Sequence, residues 1–296
     1  MTIRRFIPCL ALAALPACLA AEFTPVAERP KIESPAITEA SGLAISPTRP
    51  DLMWVINDSG GSPEIHLVGT DGGDHGKVTL KGVKNIDWED LASFTHDGKS
   101  YLLVADTGDN NAKRETRFFH ILREPALPTA GEKLAGTVPA AWTIQFRYAG
   151  GPRDCEAVAV DAKAGKILFI SKRTTPPELY ELPLRAPKKN AILTATPIAR
   201  VAVKSPGGDL VPFSNQPTGL DITADGSLAA VITYYGVFLF PRNPGQSWAE
   251  AFSRMSVALP PHLLGQAESV AFSRDGQTIH AVSEGRATPI ARYRLK

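Results

Sequence analysis

Apolar and polar residues alternate in short runs along most of the chain, and Gly, Pro, Asn and Asp interrupt them every few residues. The runs have the length of strands, and none keeps a helical period beyond a turn or two. The stretch 86–111 shows the unit most completely: Asp87-Trp88-Glu89-Asp90-Leu91-Ala92, a turn at His96-Asp97-Gly98, the apolar run 101–105, then Asp106-Thr107-Gly108-Asp109-Asn110. An apolar strand, an Asp-Gly turn and a returning apolar strand predict a β-hairpin. Because the second strand runs back against the first, Glu89 and Asp106 belong at the same end of it.

The opening segment recurs five times, as Glu39-Ala40-Ser41-Gly42-Leu43, Asp87-Trp88-Glu89-Asp90-Leu91, Asp154-Cys155-Glu156-Ala157-Val158, Gln216-Pro217-Thr218-Gly219-Leu220 and Gln266-Ala267-Glu268-Ser269-Val270. The first column is carboxylate or amide, the third is hydroxyl or Glu, and the fifth is Leu or Val. The copies lie 48, 67, 62 and 50 residues apart, in or somewhat above the range of propeller blades. Each returning strand ends 16 or 17 residues after the third column, at Asn57-Asp58, Asp106, Lys172-Arg173, Tyr234-Tyr235 and Glu284.

Behind each hairpin comes a third apolar segment (64–69, 117–122, 178–182, 237–240, 290–295). In four copies a fourth strand candidate follows (77–80, 141–148, 198–203, 252–259). The last copy runs out of chain, and residues 23–32 have no other role, so they are expected to supply its missing outer strand. The fold predicted is all-β: a five-bladed β-propeller of four antiparallel strands per blade, closed by an N-terminal strand. A sixth, degenerate blade inside one of the two longer intervals is the alternative. Small residues at Ala44, Ala92, Ala159 and Ala271 let the innermost strands crowd the axis, whereas Asp221 breaks that column.

Residues 1–20 carry Arg4 and Arg5, an apolar run and small residues near a cut site, the pattern of a secretory signal peptide. Residues 21–296 then form a single domain that is exported, periplasmic or secreted, and is read as a monomer. The string Leu15-Pro16-Ala17-Cys18 also resembles a lipoprotein box, which would instead anchor the chain by lipid at Cys18. Past that segment only Cys155 remains, so no internal disulfide is available and the core must supply stability. The hydrophobic content of 44% is enough for one, and no other run is long enough to span a membrane. Without Arg4 and Arg5 the formal charge falls from +2 to 0, and no basic block argues for nucleic acid as a partner.

Innermost strands start, and second strands finish, at one mouth of the channel. Glu89, Glu156 and Glu268 therefore face one another there with Ser41 and Thr218 between them, and Asp87, Asp154 and Glu39 close by. Like charges in a confined channel raise each other's pKa, so a positive group is expected among them. An all-oxygen ring of Ser41, Glu89, Glu156, Thr218 and Glu268 suits calcium, and the lack of His and Cys argues against zinc or copper. The competing reading is that the three glutamates bond to backbone amides and water and tie adjacent blades together.

The Ser, Glu, Glu, Thr, Glu order resembles the central calcium site of five-bladed calcium-dependent apyrases. Asn57-Asp58 and Lys172-Arg173 resemble an Asp pair and an Arg pair of that family, with Asn57 and Lys172 departing in type. The strings NDSG (57–60), DWEDLA (87–92) and DTGDN (106–110) resemble a group of exported bacterial propellers, and the Glu-plus-small-apolar starts resemble phytase-like esterase domains. These likenesses imply a calcium-bearing propeller.

The strand ends differ between blades, as a specific site would require. Asp58 and Asp106 are the candidate catalytic carboxylates. Asn57, Asp109, Asn110, Arg114, Lys172, Arg173, Tyr234, Glu284 and Arg286 are the candidate substrate contacts, for a small polar or anionic ligand. A metal beside them could activate water against a small phosphate or carboxylic ester. A non-catalytic ligand- or protein-binding propeller and a lactonase-like enzyme are the alternatives; the latter should use an Asn as metal ligand, which the ring lacks. Taken singly, the Asp-Ser-Gly and Asp-Thr-Gly strings are also ordinary turn chemistry.

Overall fold

The computed structural model describes residues 22–205 and 213–296. The expected signal peptide (1–20), with cleavage after Ala20, and the alternative anchor at Cys18 all lie outside the described residues. Among the described residues no helix is long and apolar enough to cross a membrane.

Five separate sheets follow one another along the chain, each built outward from one of the five matched segments. Blade 1 comprises Ala40–Ile45, Leu52–Asn57, Glu64–Gly69 and Asp74–Lys81; blade 2, Trp88–His96, Lys99–Asp106, Arg117–Arg123 and Trp142–Tyr148. Blade 3 comprises Cys155–Asp161, Lys166–Ser171, Glu178–Pro183 and Pro197–Arg200; blade 4, Pro217–Ile222, Leu228–Thr233, Val237–Pro241 and Val257–Ala258. Blade 5 has Ala267–Phe272, Thr278–Ser283 and Ala291–Leu295, and its fourth strand is Phe23–Pro25, with Phe23 opposite Leu295. The wheel thus has five blades and closes through the N-terminal strand, as expected.

Why the blades form a ring is visible in the core. Five apolar clusters fill the five interfaces, one for each neighbouring pair including blade 5 with blade 1. Both faces of each inner sheet are buried, so the strands read as continuous apolar runs (Leu52–Asn57, Lys166–Ser171) and not as a strict alternation. The interface of blades 2 and 3 is aromatic, with Phe119 and Phe146 stacked at 4.8 Å and Phe169 and Tyr180 at 5.3 Å. Offset stacking of this kind adds about 0.5–1.5 kcal/mol per pair beyond burial.

Among the described residues the two long intervals hold no sixth blade. Their surplus residues turn back to the preceding sheet as a fifth, parallel strand: Thr137–Pro139 beside Asp74–Lys81 in blade 1, and Ile192–Ala195 beside Trp142–Tyr148 in blade 2. In blade 4 the expected strand 252–259 shrinks to Val257–Ala258. The residues before it form a short helix, α1 (Trp248–Phe252), which starts at a capping box of Ser247 and Glu250 and buries Trp248 and Phe252.

Every innermost strand carries the same irregularity. The pairing with the second strand skips one residue, and that residue is Ser41, Glu89, Glu156, Thr218 or Glu268. A bulge re-aims a side chain and breaks the alternation of faces. The third column is thus a set of five bulged positions at one mouth of the channel.

Candidate functional site

Four of the five ring residues are held by protein groups. Ser41 Oγ donates to the Trp88 carbonyl of the next blade (2.9 Å), and Thr218 Oγ1 does the same to Ala267 (2.7 Å). The two hydroxyls therefore act as inter-blade ties. Glu156 forms an ion pair with Lys172, whose Nζ also donates to Tyr234 Oη (3.0 Å), and Tyr234 Oη donates to Glu268 Oε1 (2.9 Å). The positive group that the converging glutamates required is, on this side of the channel, Lys172, buried among Glu156, Tyr234 and Glu268. Burial pushes Glu156 well up while Lys172 pulls it back, and Glu268 is pushed up to about 7 by burial.

Glu89 is different. Its side chain is buried, with the residue 5% exposed, and among the described residues no hydrogen bond or ion pair holds its carboxylate. Burial, then the charge of Glu156, pushes its pKa well above the usual carboxylate range. One oxygen from each of Asp58, Asp87 and Glu89 lies within 4.8 Å of the others, and so does one from each of Glu89, Asp154 and Glu156. Asp87, half-buried, is pushed up to about 6 by burial first and by the Asp58 charge next. Asp58 is raised mainly by burial, opposed by the N–H that Ser59 donates to it.

Gly108 keeps this space open. A Cβ there would come 2.1 Å from Glu89 Oε1 and 2.6 Å from Asp87 Oδ2, closer than real contacts allow. A side chain at the third residue of Asp106-Thr107-Gly108 would thus displace the Glu89 and Asp87 carboxylates.

The remaining candidates divide into those that reach the mouth and those that do not. Asp106 accepts from Arg114 Nη2 (2.6 Å), while its other oxygen is buried with no hydrogen-bond partner among the described residues. Arg114 also donates to the Gly108 carbonyl (2.7 Å), so it braces the loop. Asp109 pairs with the fully buried Arg117, and its N–H donates to Asp154 Oδ1 (2.9 Å). Arg173 Nε donates to Asp154 Oδ2 (2.7 Å), and its Nη2 to Asn110. A cavity of about 220 Å³ lies here, lined by Asp109, Asn110, Arg153, Asp154 and Arg173 among others. Asn57 turns instead to its own loop, accepting from the Thr38 and Glu39 N–H groups (3.1 and 3.2 Å). Glu284 accepts from Gln266 (2.9 Å), and Arg286 donates to the Pro35 carbonyl (3.1 Å).

Several residues that build the site lie outside the sequence-derived set. Asp87 and Asp154 complete the two carboxylate groups, and the uniform first column was their signal. Asp90 is fully buried on the axis, where its carboxylate accepts N–H bonds from Leu91 (2.8 Å), Val158 (2.7 Å) and Leu220 (3.2 Å), binding blades 2, 3 and 4 together. Asp221 does the same for blades 4 and 5, accepting from Ile222 and Phe272 (both 2.8 Å), which accounts for its place in the alanine column.

No family description and no curated protein matches the chain. Among solved structures it is similar to the RRP9 WD40 repeats (11% identity, 93% of this chain and 100% of that one, TM-score 0.49). It is also similar to a gluconolactonase of Xanthomonas campestris (13%, 87% and 72%, TM-score 0.47) and to a chain of a nidogen–laminin complex (13%, 83% and 73%, TM-score 0.43). The fold rests on this chain's own strand topology, and nothing about activity follows from these likenesses.

Proposed function

We propose that the acidic mouth binds a divalent cation, calcium by preference, and that the loaded site hydrolyses a small phosphate or carboxylic ester. The observation that carries the reading is Glu89: a buried carboxylate without a partner among the described residues, within reach of both Asp58 with Asp87 and Asp154 with Glu156. Such a group is costly to keep ionised unless a cation joins it. The donors are all carboxylate oxygens, and the half-exposed Asp58 and Asp87 leave room for water, which suits calcium better than the tight octahedron of magnesium.

The residues that would hold the ion are Asp58, Asp87 and Glu89, with Asp154 on the far side. This moves the expected site off the five-residue ring toward blades 1 to 3, because Lys172 already occupies the side of Glu156 and Glu268. A bound cation would supply Lewis-acid polarisation of an ester oxygen. The chain's own share is to seat the substrate: Arg173, half-exposed beside the 220 Å³ cavity, offers donors to an anionic group there. Asp106 positions Arg114 and the loop around Gly108. The N-terminal segment read as an export signal fits this reading, since extracellular calcium modules work at dissociation constants of about 10⁻⁴–10⁻³ M.

A second reading, a ligand-binding propeller without catalysis, is favoured by one observation. Arg114, Lys172 and Arg173 each already face a carboxylate, Asp106, Glu156 and Asp154 respectively. A screen of nucleotides, sugar phosphates, aryl esters and lactones with and without calcium separates the two. Calcium-dependent turnover that Arg173→Ala shifts mainly in KM supports the hydrolase. Calcium binding with no turnover on any class leaves the binding propeller.

A further inference from the structure

The hairpin turns of blades 2 to 5 converge at the other end of the channel around a cavity of about 560 Å³. Inner strands of six to nine residues separate it from the acidic mouth by roughly 20 Å. Its volume is that of a small-molecule site. Its walls are apolar at Phe94, Val160, Ile222 and Phe272.

The charges around this lower cavity are unequally committed. Asp221 is occupied by its two backbone N–H groups. Asp161 accepts from Trp248 Nε1 (2.9 Å), Arg242 Nη1 (3.4 Å) and the Ala164 N–H (2.9 Å), and Asp97 lies 3.4 Å from His96 Nε2. The cations are not so occupied. Arg274 is half-buried, and no hydrogen bond or ion pair holds its guanidinium among the described residues; its charge is felt at Asp221. Lys163 Nζ donates to the Asp225 carbonyl, at 3.2 Å, its only hydrogen bond among the described residues, and its charge is felt at the Asp225 carboxylate. A half-buried guanidinium whose fork is unfilled is a receptor for a planar or tetrahedral anion.

We propose that the lower mouth is a second ligand site, which takes a small organic anion, its carboxylate or phosphate on Arg274 and Lys163 and its aryl or alkyl body against Phe94, Val160, Ile222 and Phe272. It is independent of the cation site at the upper mouth and stands whether or not the protein is an enzyme.

Calorimetric titration of the full chain in excess chelator, with benzoate, phenyl phosphate and benzylamine, tests it. One anion per chain should bind, more tightly than acetate or inorganic phosphate, and the better of the two aromatic anions identifies the head group. Arg274→Ala should weaken binding by about tenfold or more, the worth of one charge-assisted bond. Arg274→Lys should recover part of it, and Glu89→Gln should change nothing. The proposal is overturned if neither anion binds saturably, if benzylamine binds as well, or if Glu89→Gln rather than Arg274→Ala removes the binding. Arg274→Gln, which keeps a polar chain of similar length, repeats the measurement should the alanine variant not fold.

Discussion

Glu89 and Lys172 are both buried charges at the upper mouth, and each can be tested one side chain at a time. Lys172 neutralises Glu156 and sits beside Glu268, so Lys172→Met leaves two buried carboxylates without it. Breaking a buried pair in this way costs about 3–5 kcal/mol. Chemical denaturation should show that loss, and the double variant Lys172→Met with Glu156→Gln should regain part of it; an unchanged midpoint for the single variant would refute the ion-pair assignment. At Gly108 the predicted effect is local: Gly108→Ala drives a methyl against Glu89 and Asp87. It should weaken calcium binding at least about tenfold while the far-ultraviolet circular dichroism stays that of the parent.

The histidines give a signal of opposite origin. His280 is buried and pushed down to about 4, chiefly by burial and then by Arg292. Its folded pKa lies below its ordinary 6.5, so the stability it contributes is present above pH 6.5 and is lost as pH falls toward 4. One unit corresponds to about 1.4 kcal/mol, so the loss approaches 3 kcal/mol. The His280→Gln variant, compared with the parent between pH 7 and pH 4, should lose correspondingly less stability on acidification. Parallel curves would contradict a neutral, buried His280.

Among the elements, the closing strand is the most exposed to test. Phe23 is buried in the interface of blades 4 and 5, next to Phe272 at 6.4 Å, and its strand holds the last sheet at the chain's first described residues. Phe23→Ala should cost about 3 kcal/mol, the low end for a buried Phe, and should sharply raise amide exchange in Ala291–Leu295; exchange at the parental rate would mean the strand does not close the ring. The hairpins themselves were legible, because Asp97 and Gly98 supply the two left-handed residues (φ 49° and 68°) that a two-residue turn needs. The parallel fifth strands were not. Thr137–Pro139 and Ile192–Ala195 are short and carry exposed residues, so their pattern does not differ from that of loop. Helix α1 was hidden for a similar reason: five residues are too few to show a period.

At the scale of the whole molecule, the sequence columns located the mouth because each is repeated at a fixed distance from its own turn. They did not reveal how the groups there would be partnered. Lys172 reaches from the end of a second strand to a tyrosine 62 positions later, and Asp90 spans the axis to an N–H 130 positions away. Such pairings depend on side-chain length and on bulges that turn the residue inward, neither of which a one-dimensional pattern records. The ring of five thus resolves into a self-compensated half at Glu156 and Glu268 and an open half at Glu89.

Titrating the full chain with calcium, in parallel with Glu89→Gln, and following heat and melting temperature shows most directly whether the open half of the mouth takes a cation. The parent should bind one calcium and gain about 2.7 kcal/mol of stability at a hundredfold excess over the dissociation constant. Glu89→Gln should lose that response yet melt higher than the parent in chelator, because it removes the cost of burying an ionisable carboxyl group that has no partner among the described residues. A parent whose melting temperature is the same in calcium and in chelator, or a Glu89→Gln variant that keeps the full calcium response, would contradict the claim that the open half of the mouth is a cation site.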